Sequence, residues 1–170
     1  MYKRQIDILR RMGASIEERD REAPGGADGE PLADLTVRSS RLRAVDLSPA
    51  DVAAAIDEIP VLALAAAVAE GTSRLRGVGE LRHKESDRVA GIVEGFTALG
   101  ARVSVNGDDI EIRGGTRLTG AVTETHDDHR LAMTFAIAGL VASGRTTVRR
   151  PASVAISYPG FFDDLGRVGS

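Results

Sequence analysis

The sequence predicts an α/β (α+β) domain built as a pseudo-repeat of helix-plus-short-sheet units with buried helices. Three observations predict it. "RRMGASIEE" recurs as "TALGARVSV", each reading helix, Gly-Ala stop, strand. "IPVLALAAAVAEGTSRLRGV" from Ile59 recurs as "RLAMTFAIAGLVASGRTTVRR" from Arg130, each an almost wholly apolar helix, then Gly, then a strand. The strand signals between them are short and end in turn residues.

Taken in order, Ile6, Leu9 and Met12 lie at helical spacing, Gly13-Ala14 stops the helix, and a strand runs from Ala14 to Glu18. A polar, Gly/Pro-rich stretch follows, so a flexible loop is expected over residues 19–33, ahead of strand residues Leu35 to Val37. Pro60 suits the first turn of the apolar helix, and Gly71 occupies a C-cap position that Gly144 repeats. A helix apolar all round is buried on every side, whereas the "RRMGA" and "TALGA" helices are amphipathic and therefore outer. In the second of these, Val89, Ile92, Val93 and Phe96 fill one face, which starts the helix near Glu85. Val103, Val105, Asn106-Gly107, Ile110 and Ile112 spell a hairpin whose turn needs positive φ. The chain opens in a helix with no strand ahead of it, although each later helix has one. An N-terminal truncation is therefore expected, with an unpaired edge that could pair with another copy.

Composition narrows the function. The 170 residues carry 22 basic and 25 acidic side chains, a formal charge of -3, with 42% hydrophobic and 28% charged residues. That size suits one domain spanning residues 1–170. The near balance of charge argues against general nucleic-acid binding. The absence of cysteine excludes disulfides, thiolate zinc sites and cysteine nucleophiles, and three histidines argue against a His-rich metal site. The longest apolar stretch, Ile59 to Ala69, is 11 residues and is too short for a ~30 Å hydrocarbon core. With a charged N-terminus that lacks an apolar signal region, the expected location is cytoplasmic, with no membrane partner.

Three helix starts carry charge. In "ELRHKESDRVAGI", Arg82, Lys84, Glu85 and Arg88 cluster on the first turn, where free backbone N–H groups favour anions. The alternative is a solvated helix start with Glu85 and Asp87 facing the dipole. In "THDDHRLAM", Asp128 reads as an N-cap, which puts Arg130 in the first turn of a buried helix, against the dipole. That placement calls for an anion, unless Asp127 or Asp128 simply pairs with it. In "AAIDEIPVLA", Asp57 or Glu58 reads either as a plain cap or as part of a site. If the repeat brings the three starts together, they form one charged pocket aided by helix dipoles.

These motifs carry a resemblance. "DEIPVLALAAAVAEG", "LRHKESDR", the helix ending "LGA", "DDHRLAM" and "SYPGFFDDL" resemble, in order and spacing, 5-enolpyruvylshikimate 3-phosphate synthase. The likeness covers nearly the whole chain but only the C-terminal part of that family, whose members have two domains and roughly 2.5 times this length. The resemblance implies one domain of the two-domain enolpyruvyl transferase fold. It implies transfer of the carboxyvinyl group of phosphoenolpyruvate to the 5-hydroxyl of shikimate 3-phosphate, with release of phosphate. This is a shikimate-pathway step in aromatic amino-acid biosynthesis, and the family is the glyphosate target.

By the same resemblance, Asp57 matches the general base and Glu85 the group that handles the methylene proton. Lys84 matches a lysine at shikimate 3-phosphate, and Arg88 and Arg130 the pair that grips phosphoenolpyruvate. The implied partners are the two substrates and the missing N-terminal domain of the same enzyme; no metal or organic cofactor is implied. Isolated, the chain is expected to be essentially inactive. Ile156 stands where many members have a lysine, and Glu80 where some have an asparagine; neither is assigned a role. The alternatives are a piece of the UDP-N-acetylglucosamine carboxyvinyltransferase, against which the KESDR and DDHR motifs speak, and a non-catalytic binding domain that keeps the fold.

Overall fold

The computed structural model describes residues 2–21 and 32–168. The first unit runs α1 (Tyr2–Arg11), β1 (Ser15–Arg21), β2 (Leu32–Arg38), β3 (Asp46–Leu47), α2 (Pro49–Ala54), α3 (Ile59–Val68) and β4 (Thr72–Leu75). The second runs α4 (Arg88–Ala98), β5 (Arg102–Asn106), β6 (Asp109–Arg113), β7 (Val122–Thr123), α5 (His129–Val141) and β8 (Thr147–Val148), and α6 (Phe161–Val168) closes the chain. Short 3-10 turns lie at Ile56–Glu58, Gly79–His83 and Pro151–Ile156.

The repeated Gly-Ala stops are the same device twice. After α1, Gly13 N–H bonds Arg10 O and Ala14 N–H bonds Leu9 O; after α4, Gly100 N–H bonds Thr97 O and Ala101 N–H bonds Phe96 O. Both are Schellman closures, and both glycines have the positive φ the closure needs (94° and 84°). The second pair of glycines works differently. α3 and α5 end on extended Ala69 and Ala142, so Gly71 and Gly144 sit two residues past the caps. Each follows a single parallel bridge, Arg43 to Glu70 and Thr119 to Ser143, that starts the next strand.

β3, β4, β6 and β5 form a four-stranded sheet in that order, with β3 parallel to β4 and the other pairs antiparallel. β1 and β2 pair antiparallel, and β7 and β8 pair parallel. In the β5–β6 hairpin Asn106 pairs with Asp109, so the two-residue loop is Gly107-Asp108 rather than Asn106-Gly107. Positive φ falls on Gly107 alone, the first central position, where a type II′ turn takes glycine. β1 extends through Arg21 and β2 starts at Leu32, so both ends of the expected 19–33 loop are strand; the rest of that loop, 22–31, lies outside the described residues.

Two core expectations need adjusting. α3 is buried nearly throughout, from Ile59 and Pro60 to Ala66 and Ala67. α5 is not, because Leu140 and Val141 at its far end are more than half exposed. The two hairpins also differ. Ile110 and Ile112 on β6, flanked by β5 and β4, are fully buried. Their counterparts by register, Leu35 and Val37 on β2, are 50% and 66% exposed, since among the described residues β2 has β1 alone beside it.

Glycines set the spacing of α4 against α5. A Cβ on Gly91 would lie 2.5 Å from Leu131 Cδ1, and one on Gly95 would lie 2.1 Å from Phe135 Cζ. A side chain at either position would have to displace its neighbour, so α4 and α5 come close enough for Arg88, which opens α4, to reach Asp128, the cap of α5.

Candidate active site

The first side chain comes from the turn ahead of α3. Ile56–Glu58 is a 3-10 turn, Pro60 lies in the first turn of α3, and no side chain caps that helix. Asp57 is therefore not a plain cap. Its carboxylate accepts from Arg88 Nη1 at 3.0 Å, with Arg130 Nη2 at 3.5 Å and Lys84 Nζ at 3.9 Å.

The second set precedes and opens α4. The helix starts at Arg88, not near Glu85, because the Asp87 side chain takes the Ala90 N–H and Lys84 is extended. Lys84 and Glu85 thus lie on the connecting stretch and Arg88 alone on the helix, so Lys84 and Arg88 are not i, i+4 neighbours on one face. Arg82 leaves the expected cluster altogether. It donates to Gly107 O, lies near Asp87 and Asp108, and lines a surface recess with Glu80 and His83.

The third set is aimed by a braced turn. His126 and Asp127 take left-handed backbone (φ 51° and 58°), as does Arg150 across from them (φ 50°). Such a conformation is costly for residues other than glycine and needs fixing from outside. Glu124 accepts from Thr125 N–H, His126 N–H and Arg150 Nε; Asp127 pairs with Arg150 at 2.8 Å; Thr125 Oγ1 donates to Arg149 O. His126 Nε2 meets Glu94 at 2.8 Å, which ties the turn to α4. Asp128 then caps α5, accepting from Arg130 N–H at 2.8 Å and Leu131 N–H at 3.3 Å.

The Arg130 side chain does not pair locally. Arg130 Nη1 donates to the carbonyl of Asp57 at 2.9 Å and reaches Glu58 at 3.9 Å. Arg88 is the hub: Nε donates to Asp128 Oδ2 at 2.7 Å, Nη1 to Asp57 and Nη2 to Glu85. Its side chain is 0% exposed, as is that of Asp128, whose Oδ2 also accepts from Ser86 Oγ at 3.1 Å. Burial by itself disfavours both charges. For Arg88 the bonds and charges of Asp128, Glu85 and Asp57 outweigh it and hold the pKa above the ordinary value. For Asp128, Arg88 and the two cap N–H groups outweigh burial and hold the carboxyl below its ordinary value.

The structure therefore brings Asp57, Lys84, Glu85, Arg88 and Arg130 to one place from the starts of α3, α4 and α5. Ile156 ends a 3-10 turn and is 80% exposed. Sequence reasoning missed that Asp128 is more than a cap, and it missed Ser86. The signal for Asp128 was present: a capping carboxylate uses one oxygen on the helix, and a buried one needs a cation for the other. Among the described residues no group of three or more His, Asp or Glu is arranged to hold a metal ion. No helix of the described residues is long and apolar enough to cross a membrane.

The repeated helix-and-sheet units are those of the enolpyruvyl transferase fold. An enolpyruvyl transferase from Streptomyces tendae superposes with a TM-score of 0.68 at 24% identity, over 98% of this chain and 35% of that one. An EPSP synthase from Acinetobacter baumannii superposes with a TM-score of 0.87 at 38% identity, over 96% of this chain and 38% of that one. Residues 2–165 match the family described as EPSP synthase (3-phosphoshikimate 1-carboxyvinyltransferase), and the chain belongs to that family. A 3-phosphoshikimate 1-carboxyvinyltransferase of Roseiflexus sp. (strain RS-1) is 53% identical over 163 residues, and one of Roseiflexus castenholzii is 50% identical. These cover 96% of this chain but 37% of each relative, so the chain spans little over a third of the curated relatives it matches.

Proposed function

We propose that the chain supplies part of the site for carboxyvinyl transfer from phosphoenolpyruvate to the 5-hydroxyl of shikimate 3-phosphate. The observation that carries the reading is the convergence of Asp57, Lys84, Glu85, Arg88 and Arg130 in a chain of this family. In the reaction the hydroxyl oxygen bonds C2 of phosphoenolpyruvate while C3 gains a proton. Phosphate then leaves C2, and C3 loses a proton to restore the double bond. Asp57, partly exposed, takes the hydroxyl proton, and Glu85 carries the proton to and from C3. Lys84 faces the phosphate of shikimate 3-phosphate. Arg130 and Arg88 hold the carboxylate of phosphoenolpyruvate, for which a planar guanidinium suits better than an ammonium. The partners on this reading are the two substrates and the remaining domain of the same enzyme.

Turnover by this chain alone is expected to be negligible. Three cations (Lys84, Arg88, Arg130) face four anions (Asp57, Glu58, Glu85, Asp128), too little positive charge for two polyanionic substrates. Steady-state phosphate release should stay at background for the chain alone and appear when the rest of a close relative is supplied with it. Release that stays at background in that reconstitution, with no phosphoenolpyruvate binding by the chain, would sink the reading. Neither the UDP-N-acetylglucosamine reaction nor a purely binding role gains support from any contact described above.

A further inference from the structure

Each of the three nitrogens of the Arg88 guanidinium is engaged by a protein carboxylate before any ligand arrives. Asp128 holds Nε, Asp57 holds Nη1 and Glu85 holds Nη2, around a side chain with no exposed surface. A ligand carboxylate can reach this arginine only if one of the three gives way. Asp128 is fully buried and accepts from four donors, namely Arg88 Nε, Ser86 Oγ and the Arg130 and Leu131 N–H groups. Asp57 is 28% exposed and lies among Arg88, Arg130 and Lys84. Glu85 is 53% exposed, precedes the helix, and its contact is Arg88 Nη2. It is the carboxylate whose removal disturbs least.

We propose that Glu85 is a stand-in for the ligand's carboxylate. An arriving carboxylate takes its place on Arg88 Nη2, and the displaced Glu85 comes to lie beside the bound ligand. This rests on the reading that phosphoenolpyruvate binds here through its carboxylate. Two consequences follow from the exchange. Glu85 lowers the affinity of the ligand-free site, because it competes for the same guanidinium edge. It is also free of Arg88 only when the ligand is present, which couples the placing of a proton-carrying group to ligand arrival. No bond between heavy atoms forms or breaks; one ion pair replaces another.

The test is titration of the 170-residue chain and its Glu85→Gln variant with phosphoenolpyruvate by calorimetry. The glutamine side chain keeps the shape but loses the charge that competes, so binding should tighten about two- to five-fold, the range for a partly exposed ion pair. A residue that merely supported the site would give weaker binding when changed. In the wild type, the carbon-13 resonance of the Glu85 carboxyl should shift as the ligand saturates. Glu85 is half exposed and outside α4, so an unchanged melting temperature checks that the variant folds. Equal or weaker binding by the variant, or a Glu85 resonance that stays still at saturation, overturns the exchange and leaves the carboxylate site standing. If neither protein binds phosphoenolpyruvate, alone or with the rest of a close relative supplied, the functional reading falls and the exchange falls with it.

Discussion

Gly95→Ala adds one methyl group, and the structure shows what it meets. The new Cβ would lie 2.1, 2.4 and 2.9 Å from Cζ, Cε1 and Cε2 of Phe135. Carbon pairs rest at about 3.5–4.0 Å, so the nearest overlap exceeds about 1 Å. Phe135 cannot turn aside easily, since it is fully buried and stands edge-on to Phe96, with centroids 5.8 Å apart at 71°. Overpacking of this kind costs about 1–3 kcal/mol, and three short contacts to one ring place it near the upper end. Against that, alanine gains about 1 kcal/mol over glycine inside a helix. The net loss is about 2 kcal/mol, or about 4–8 °C in melting temperature for a domain of this size. Thermal unfolding followed by circular dichroism measures it. Gly166→Ala is the control, because a Cβ there meets nothing within 4 Å on exposed α6, and its melting temperature should hold or rise. A Gly95→Ala protein that melts at or above the wild type would refute the claim that these glycines set the α4–α5 distance.

Two further outcomes follow from burial. Asp128→Asn keeps an oxygen for the α5 cap but removes the charge opposite buried Arg88, so urea unfolding should show a loss of about 3–5 kcal/mol, and a loss under about 1 would count against the hub. The pH course of that loss is also fixed. The folded-state pKa of Asp128 is depressed, so its stabilisation is full above the ordinary aspartate value of 3.8 and disappears as pH falls through the lower folded value. The gap between wild type and variant should therefore hold from neutral pH to about 4 and narrow only below it. Ile112→Ala should cost about 2–5 kcal/mol, whereas Val37→Ala at the equivalent strand position should stay within about 0.5. Equal losses in chemical denaturation would show that β2 is covered as β6 is.

Much of the fold was legible because its signals are local. A Schellman closure needs a glycine at a fixed distance from the helix, so "RRMGA" and "TALGA" announce it wherever they stand. The burial of α5 was less legible for the opposite reason: Leu140 and Val141 are apolar, yet what covers a helix end is not written in that helix. The turn of the β5–β6 hairpin slipped by one residue, since both Asn106-Gly107 and Gly107-Asp108 satisfy turn chemistry and only cross-strand register decides between them. At the site, sequence placed each charged group near a helix start but gave Arg82 to the cluster. Once Asp87 caps α4, Arg82 lies on the separate 3-10 turn Gly79–His83 and reaches Gly107 and Asp108 instead.

The same capping choice gives the site its form. Had α4 begun at Glu85, Lys84 and Arg88 would share one helical face as like charges. Because it begins at Arg88, the arginine enters on the buried end of the helix while Lys84 and Glu85 stay on the partly exposed stretch ahead. A fixed guanidinium then has two immovable partners, Asp128 and the Asp57 held against Arg130, and one movable partner, Glu85. The immovable pair keeps Arg88 charged and oriented inside the protein, which an isolated buried cation could not sustain. The movable one leaves the remaining edge of the guanidinium open to exchange. A site of this kind stores its positive charge already neutralised, and binding becomes a contest between carboxylates over one edge of Arg88, not the filling of a vacant positive hole.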